Sequence, residues 1–309
     1  MLSGSELREL PNEVRTLRWG WVGVAVIADI LVYCLQGWRW SLLLDPVERI
    51  PILKSIRAIY VGLFANEIIP FRAGEAIRCY LQARWSHLPF SVVVASAIIE
   101  RIFDGIWLVI GLFTVIRFVH EIPKAFVEGG TVLAVVVLIG AGVFFIAMLQ
   151  KSWALRNLSK EGWQRHLRVL IEDLNIIGFS KYLGYSALMS LPYLLMQAIP
   201  IWAMMRAYEL EDPSFKIAIV MMVLLRLSSA VPQAPGNLGA FQAIAALVLV
   251  MFGYDKALAK RFSLVLWGVV TLPLLITGFL ALAVTGAKLS ELRAQAEATA
   301  TQHREHSES

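Results

Sequence analysis

The sequence predicts an all-α, polytopic membrane protein of about eight transmembrane helices, arranged as two parallel four-helix halves with Pro/Gly-broken helices. Three observations lead there. Hydrophobic residues make up 58% of the 309 and only 17% are charged, with a mean hydropathy of +0.67, far above the usual soluble composition. The charges concentrate between apolar runs of membrane-spanning length. Two of those runs break in the same way, at Ile69-Pro70-Phe71-Arg72-Ala73-Gly74-Glu75 and at Val231-Pro232-Gln233-Ala234-Pro235-Gly236-Asn237. Proline removes a backbone donor and glycine opens unusual dihedrals, so each break frees polar backbone that must face protein or a wet cavity.

In chain order, residues 1–18 form a cytoplasmic segment carrying Arg8, Arg15 and Arg18. The first span, 19–44, is too long for a signal-peptide core and is read as retained. Spans then follow at 53–70, 91–118 and 131–149, completing a first membrane half over 19–149. A basic amphipathic linker, 150–181, interleaves Lys151, Arg156, Lys160, Arg165, Arg168 and Lys181 with Trp153, Trp163 and Phe179. It reads either as an interfacial connector or as a docking surface for anionic lipid. The second half, 182–285, holds spans 182–207, 215–232, 238–253 and 262–285, and a polar cytoplasmic tail occupies 286–309. Lys54, Arg57 and Glu67 interrupt the second span, which leaves a re-entrant hairpin as its alternative. Eight full crossings keep the basic linker, Arg72, Arg78, Arg84, Lys288 and Arg293 on one side, as the positive-inside trend requires. That arrangement puts both termini in the cytoplasm.

Pro70 and Pro232 lie 162 residues apart. The same shift carries the first span onto the fifth and the second onto the sixth. Spans three and four then match seven and eight if the first half carries an insertion near 76–90. The expected relation is a parallel repeat, with Pro70, Gly74, Pro232, Pro235, Gly236 and Gly239 as hinges. Repeated broken helices point to a transport site.

The costliest residues lie inside the spans. Glu100, Arg101 and Asp104 occupy about one helix turn, and Asp29 and Arg226 are further deep charges. An unpaired charge at mid-bilayer costs about 2.5–3.5 kcal/mol on insertion scales, so such a group requires partners or water. Two readings stand side by side: a buried ion network that fixes helix register, or a polar cavity for a phosphate-bearing headgroup, to which a guanidinium fork is suited. Arg72, Glu75 and Arg78 recur every three residues after the first break and extend the candidate cavity to Arg72, Glu75, Arg78, Glu100, Arg101, Asp104 and Arg226. The second break offers only neutral Gln233, Asn237 and Gln242.

Other chemistries find little support. Cys34 and Cys79 show no metal or redox spacing, the five histidines are scattered, and no P-loop is present. No metal, cofactor, catalytic residue or nucleic-acid partner is expected. The net charge of +5 fits basic loops beside membrane helices.

Taken together, Asn66-x-x-x-Pro70-x-Arg72-x-Gly74-Glu75-x-x-Arg78, Glu100-Arg101-x-x-Asp104 and Pro232-x-x-Pro235-Gly236-x-x-Gly239 resemble the lysylphosphatidylglycerol synthase transmembrane-region family over roughly 15–285. The resemblance implies a flippase-like integral protein of the bacterial inner membrane that moves a polar-headgroup lipid between leaflets. The polar segment 286–309 leaves no place for the family's soluble synthase domain, so translocation without aminoacyl transfer is expected. Membrane lipids are the expected partners. The alternatives are a scaffold for an envelope-lipid synthase and, further off, a membrane-embedded headgroup transferase.

Overall fold

The computed structural model describes residues 11–69, 73–119, 122–149, 180–229 and 239–285, with isolated positions between 164 and 178. Pro70, Arg72, Pro232, Pro235 and Gly236 lie outside the described residues, as does most of the 150–181 linker. The principal helices among the described residues are, in order, α1 Trp19–Leu44, α2 Ile52–Ile68, α3 Gly74–Ser86, α4 Phe90–Phe118, α5 Lys124–Leu149, α6 Lys181–Met196, α7 Ala198–Ala207, α8 Phe215–Ser228, α9 Ala240–Met251 and α10 Lys256–Thr285. No strand occurs among the described residues. The all-α, polytopic membrane class predicted from composition is the class observed. Four stretches, Trp19–Leu44, Phe126–Ile146, Lys181–Ala207 and Lys256–Thr285, are long and apolar enough to cross a membrane. The 29-residue α4 matches them in length but carries the charged triplet. A step at Gln197, whose N–H bonds to the Leu194 carbonyl, separates α6 from α7, and Pro192 removes a further donor inside α6.

The chain divides into two compact units. The unit made of Tyr33–Ile106, Ala134–Leu191 and Thr277–Ser309 contains the α2–α3 hairpin. Its arms touch along their length: the Gly74 N–H donates to Asn66 Oδ1 at 2.8 Å, Gln82 Nε2 to Ser55 Oγ at 3.2 Å, and Lys54 Nζ to the Trp85 carbonyl at 2.8 Å. A Cβ added at Gly62 would lie 2.7 Å from the Gly74 carbonyl, and one at Gly74 would collide with the Gly62 carbonyl. Glycine at both positions is what lets the backbones meet. Since the end at Lys54 meets the end at Trp85, the segment 53–70 is one arm of a hairpin that returns to its starting side. The span expected at 53–70 is thus joined by a returning arm, α3, that no predicted span covered. Positive-inside counting missed this because α3, with Glu75, Arg78, Gln82 and Arg84, has the composition of a loop.

The other unit comprises Met1–Val32, Trp107–Leu133 and Pro192–Ile276. Its core is built from Ala25, Ala203, Met204, Met205, Ala218, Met221, Leu224, Ala245, Val248, Leu249, Phe262 and Leu266, all fully buried. A second hairpin, α8–α9, lies within it. Ser214 caps α8 by accepting from the Lys216 N–H, and the Tyr254 hydroxyl donates to the Glu211 carbonyl at 2.5 Å, joining the hairpin's entry and exit. Trp202 stacks edge-on against Trp21 and Phe215, and Tyr208 against Phe262.

Contacts inside this unit correct the repeat. The 162-residue shift superposes α1 on α6–α7, α2 on α8, α3 on α9 and α4 on α10, each to within a few residues. No insertion near 76–90 is needed, because 74–86 is itself the counterpart of α9. The N–H of Arg18, just before α1, donates to the carbonyl of Ala207, the last residue of α7, at 3.0 Å. The start of one helix thus sits at the end of its counterpart. Equivalent helices run in opposite directions, so the repeat is inverted and not parallel. Arg261 Nε also donates to Glu13 Oε2 at 2.8 Å, so α1 and α10 begin at one end. Each is long enough to cross a membrane at about 1.5 Å per residue.

Candidate functional site

The deep charges of the first unit meet in one network. Glu100 sits on α4 between two arginines: Oε1 accepts from Arg39 Nη2 at 2.7 Å and from Gln36 Nε2 at 3.1 Å, and Oε2 accepts from Arg78 Nη1 at 2.9 Å. Arg39 Nη1 also donates to Asp104 Oδ1 at 2.5 Å and to Ser190 Oγ at 2.7 Å. Arg78 Nε donates to Glu75 Oε2 at 2.8 Å, and its guanidinium lies 4.6 Å over the Trp40 ring. Trp40 is fixed in turn by donating from Nε1 to Ser96 Oγ at 2.9 Å. Arg101 Nη2 closes the chain on Glu75 Oε1 at 3.1 Å, with Nη1 3.7 Å from Asp104 Oδ2. Arg39, Arg78 and Arg101 balance Glu75, Glu100 and Asp104, so the formal charge is zero.

Helical spacing explains the assembly. Glu100 and Asp104 share a face of α4 at i and i+4, and that face meets α1 at Arg39. The first break turns α3 back so that Arg78 reaches Glu100 from the other side. Among these groups Arg39, Arg78 and Glu100 are buried almost completely, and Asp104 nearly so. Within a membrane such groups are stable only when paired.

Glu75 and Arg101 differ from the rest. Each side chain is 43% exposed, and both line a cleft of about 550 Å³ between α3, α4 and α5. The remaining walls are Ala76, Cys79, Phe90, Val94, Ala97, Ile98, Ile102, Val136, Val137 and Gly140, nearly all apolar. Val136, Ile139, Val143 and Ile146 on α5 are largely exposed, an arrangement that suits contact with lipid tails.

The structure therefore brings together five of the seven predicted site residues: Glu75, Arg78, Glu100, Arg101 and Asp104. Arg226 belongs to a separate cluster in the other unit. There Nε donates to Gln197 Oε1 at 2.5 Å and Nη2 to the Tyr193 hydroxyl at 2.6 Å, with the guanidinium 5.4 Å from the Tyr193 ring. Arg72 lies outside the described residues. Of the predicted hinges, Gly74 and Gly239 are described, and each opens the returning arm of a hairpin. Sequence reasoning missed Arg39, Gln36 and Ser190. Arg39 stands between Trp38 and Trp40 near the end of its span, where Arg beside Trp reads as an interfacial anchor. Its signal was a charge at helical spacing from Gln36 inside an apolar run. No group of His, Cys, Asp and Glu among the described residues is arranged to hold a metal.

Comparison with known proteins decides the family. The profile described as "Lysylphosphatidylglycerol synthase TM region" matches residues 1–278. The chain belongs to this family. A UPF0104 membrane protein of Methanocaldococcus jannaschii is 30% identical over 103 residues, 32% of this chain and 31% of the relative. A UPF0104 membrane protein of Methanothermobacter thermautotrophicus is 29% identical over 82 residues, 26% of this chain and 23% of the relative. The matched segments thus span about a third or less of those curated relatives. No solved structure matches the chain.

Proposed function

We propose that this protein takes a polar-headgroup membrane lipid into the α3–α4–α5 cleft and moves it between the leaflets of a prokaryotic cytoplasmic membrane. One observation carries the proposal: a neutral, buried ion network ends in a half-exposed Arg101–Glu75 pair on the wall of an apolar cleft. Apolar walls accommodate acyl chains at no desolvation cost, while the guanidinium of Arg101 offers forked donors to a phosphate. Arg39, Arg78, Glu100 and Asp104 are given a positioning role, holding α1, α3 and α4 in register beneath the cleft. This divides the sequence-level alternatives between two sets of residues: the buried four fix the helices, and the exposed two meet the lipid. Membership in a family of membrane regions agrees with the reading.

Reconstitution in liposomes with headgroup-labelled lipid tests it. Arg101→Ala is expected to slow leaflet exchange by about tenfold, equivalent to about 1.4 kcal/mol of lost interaction. Its exposed pairing contributes about 0–1 kcal/mol to stability, so the variant remains folded. Exchange equal to wild type in a folded Arg101→Ala protein would overturn the assignment.

A further inference from the structure

We infer that Asp29 is a proton-exchange site that couples lipid movement to a proton gradient, an inference that rests on the lipid role proposed above. Asp29 stands on α1, a 26-residue apolar helix that begins at Trp19. At about 1.5 Å per residue it lies about 15 Å from that start, half the roughly 30 Å thickness of a hydrocarbon core. The residue is buried, with 7% of its surface exposed, and its Oδ2 has no hydrogen-bond partner among the described residues. The buried acids of α4 are in the opposite state, since Glu100 and Asp104 both accept from Arg39. A carboxylate left unpaired within a membrane is costly, and taking up a proton removes the charge. The acid form remains as a neutral group with one O–H donor.

The neighbouring helices leave this group to the proton. On α1 itself Arg18 and Arg39 stand about three turns away on either side, and each is engaged, by Glu209 and by Glu100 with Asp104. Tyr33, one turn on, packs its ring against Tyr60 of α2, whose one acid, Glu67, lies at its far end. Gln36 meets Glu100 and Trp40 meets Ser96, so α4 runs antiparallel to α1. By that register the level of Asp29 falls beyond Asp104, near Trp107. Arg18 meets Ala207 and Trp21 meets Trp202, which brings the α6–α7 step at Gln197 to the same level. There Arg226 of α8 donates to Tyr193 and Gln197. Helix α9 carries no charge, and the cations of α10 stand in its first turns, beside Glu13. None of these groups makes a hydrogen bond or ion pair with Asp29. When the proton leaves, Arg226 is the cation at the right level to receive the carboxylate. In each cycle the acid gives its proton to water on one face and takes another from water on the other. One proton crosses, and nothing is oxidised or reduced. Helix α1 is continuous to Arg39, the residue that anchors α4 beneath the cleft, so a change of charge at Asp29 acts on the helix that holds the lipid site in register.

The test uses the full chain in phosphatidylcholine vesicles carrying a trace of acyl-labelled phosphatidylglycerol, with potassium and valinomycin holding the membrane potential at zero. A pH step of one unit should shift the leaflet ratio of the probe by about tenfold for one proton per lipid, and inverting the step should invert the shift. Asp29→Asn keeps the shape and removes the proton, so its ratio should not respond to the step. Infrared difference spectra between neutral and alkaline pH supply a readout that needs no lipid movement. The wild type should show the C=O band of a protonated carboxyl, lost on titration and absent from Asp29→Asn. If that variant does not fold, Asp29→Glu serves, and the band should move in frequency; an unmoved band assigns it to another residue and overturns the inference. A wild-type ratio that ignores the pH step while the probe still exchanges also overturns it and leaves the lipid role standing, as does a carboxyl band that Asp29→Asn retains. No exchange of the probe by the wild type, with the band present and lost in Asp29→Asn, sinks the lipid role and the coupling with it.

Discussion

In the hairpin α2–α3 the glycine that opens the returning arm, Gly74, is held through its N–H by Asn66 Oδ1 at 2.8 Å. In α8–α9 the glycine just before the returning arm, Gly239, is held through its N–H by Gln242 Oε1 at 2.7 Å. The backbone problem is the same, a helix start exposed by a break, and a side-chain amide solves it twice. What the arms then carry is different. Helix α3 brings Glu75 and Arg78 into an ion network, whereas α9, Ala-Phe-Gln-Ala-Ile-Ala-Ala-Leu-Val-Leu-Val-Met, brings no charge at all. It is seated by fully buried Ala245, Val248 and Leu249. Repeat symmetry thus preserves the shape of the hairpin and leaves its chemistry free, and charge-based recognition is built into one copy.

The contrast predicts unequal sensitivity. Glu100→Ala should produce the largest effect, because it strands Arg39 and Arg78 in a buried site. Removing one partner of a buried pair costs about 3–5 kcal/mol, read as loss of folded protein in detergent thermal unfolding. A fall below about 1 kcal/mol would show that water reaches the network. Next comes Gly62→Leu, which drives a side chain into the Gly74 carbonyl and the base of Arg78. Overpacking of this kind costs about 1–3 kcal/mol. Gly239→Ala meets no neighbour but must adopt φ 93°, a strain of about 1–3 kcal/mol.

These two hairpins also mark how far sequence reading reached. The breaks, their 162-residue register and the Glu100-Arg101-x-x-Asp104 turn were legible, because proline, glycine and intramembrane charge each carry a direct physical cost. The direction of the repeat was not legible. Hydropathy registers a helix and its reverse equally, and contacts such as Arg18–Ala207 and Trp21–Trp202 separate them. Helix α3 falls where the spans leave an insertion near 76–90, because its polar residues keep it from registering as an apolar run. In the structure Arg78 and Gln82 are buried against Glu100 and Ser55. Arg39, flanked by tryptophans, was hidden for the opposite reason: its surroundings imitate a membrane interface.

Arg226 tests the less charged hairpin. It is half-buried on α8 and donates to Gln197 and Tyr193, neutral acceptors on the helix pair α6–α7. Arg226→Met should cost about 1.5–3 kcal/mol, the range for hydrogen bonds involving a charged group, and therefore less than Glu100→Ala. A larger loss would mean that charge seats both hairpins, and the contrast between them would fall.

The smallest expected effect lies at the hairpin exits. Helix α10 follows the second hairpin and is capped by Asp255, whose Oδ1 accepts from the N–H groups of Ala257 at 2.9 Å and Leu258 at 3.0 Å. Helix α4 follows the first hairpin and has no acidic residue in its first turn. The backbone N–H of Leu258, with those of Ala257 and Lys256, holds the Asp255 carboxyl below its ordinary value of 3.8. A carboxyl lowered in the folded state contributes stability above its unfolded pKa and loses it as pH falls through the folded value. Asp255→Ala should therefore lower Tm slightly at neutral pH, and the gap to wild type should close under acid. Asp255→Asn, which keeps an acceptor, should lie between the two at neutral pH. A gap that persists at about pH 2, where the carboxyl is protonated, would assign the effect to packing. The two exits would then differ in shape and not in charge, and capping electrostatics would drop out of the contrast between the hairpins.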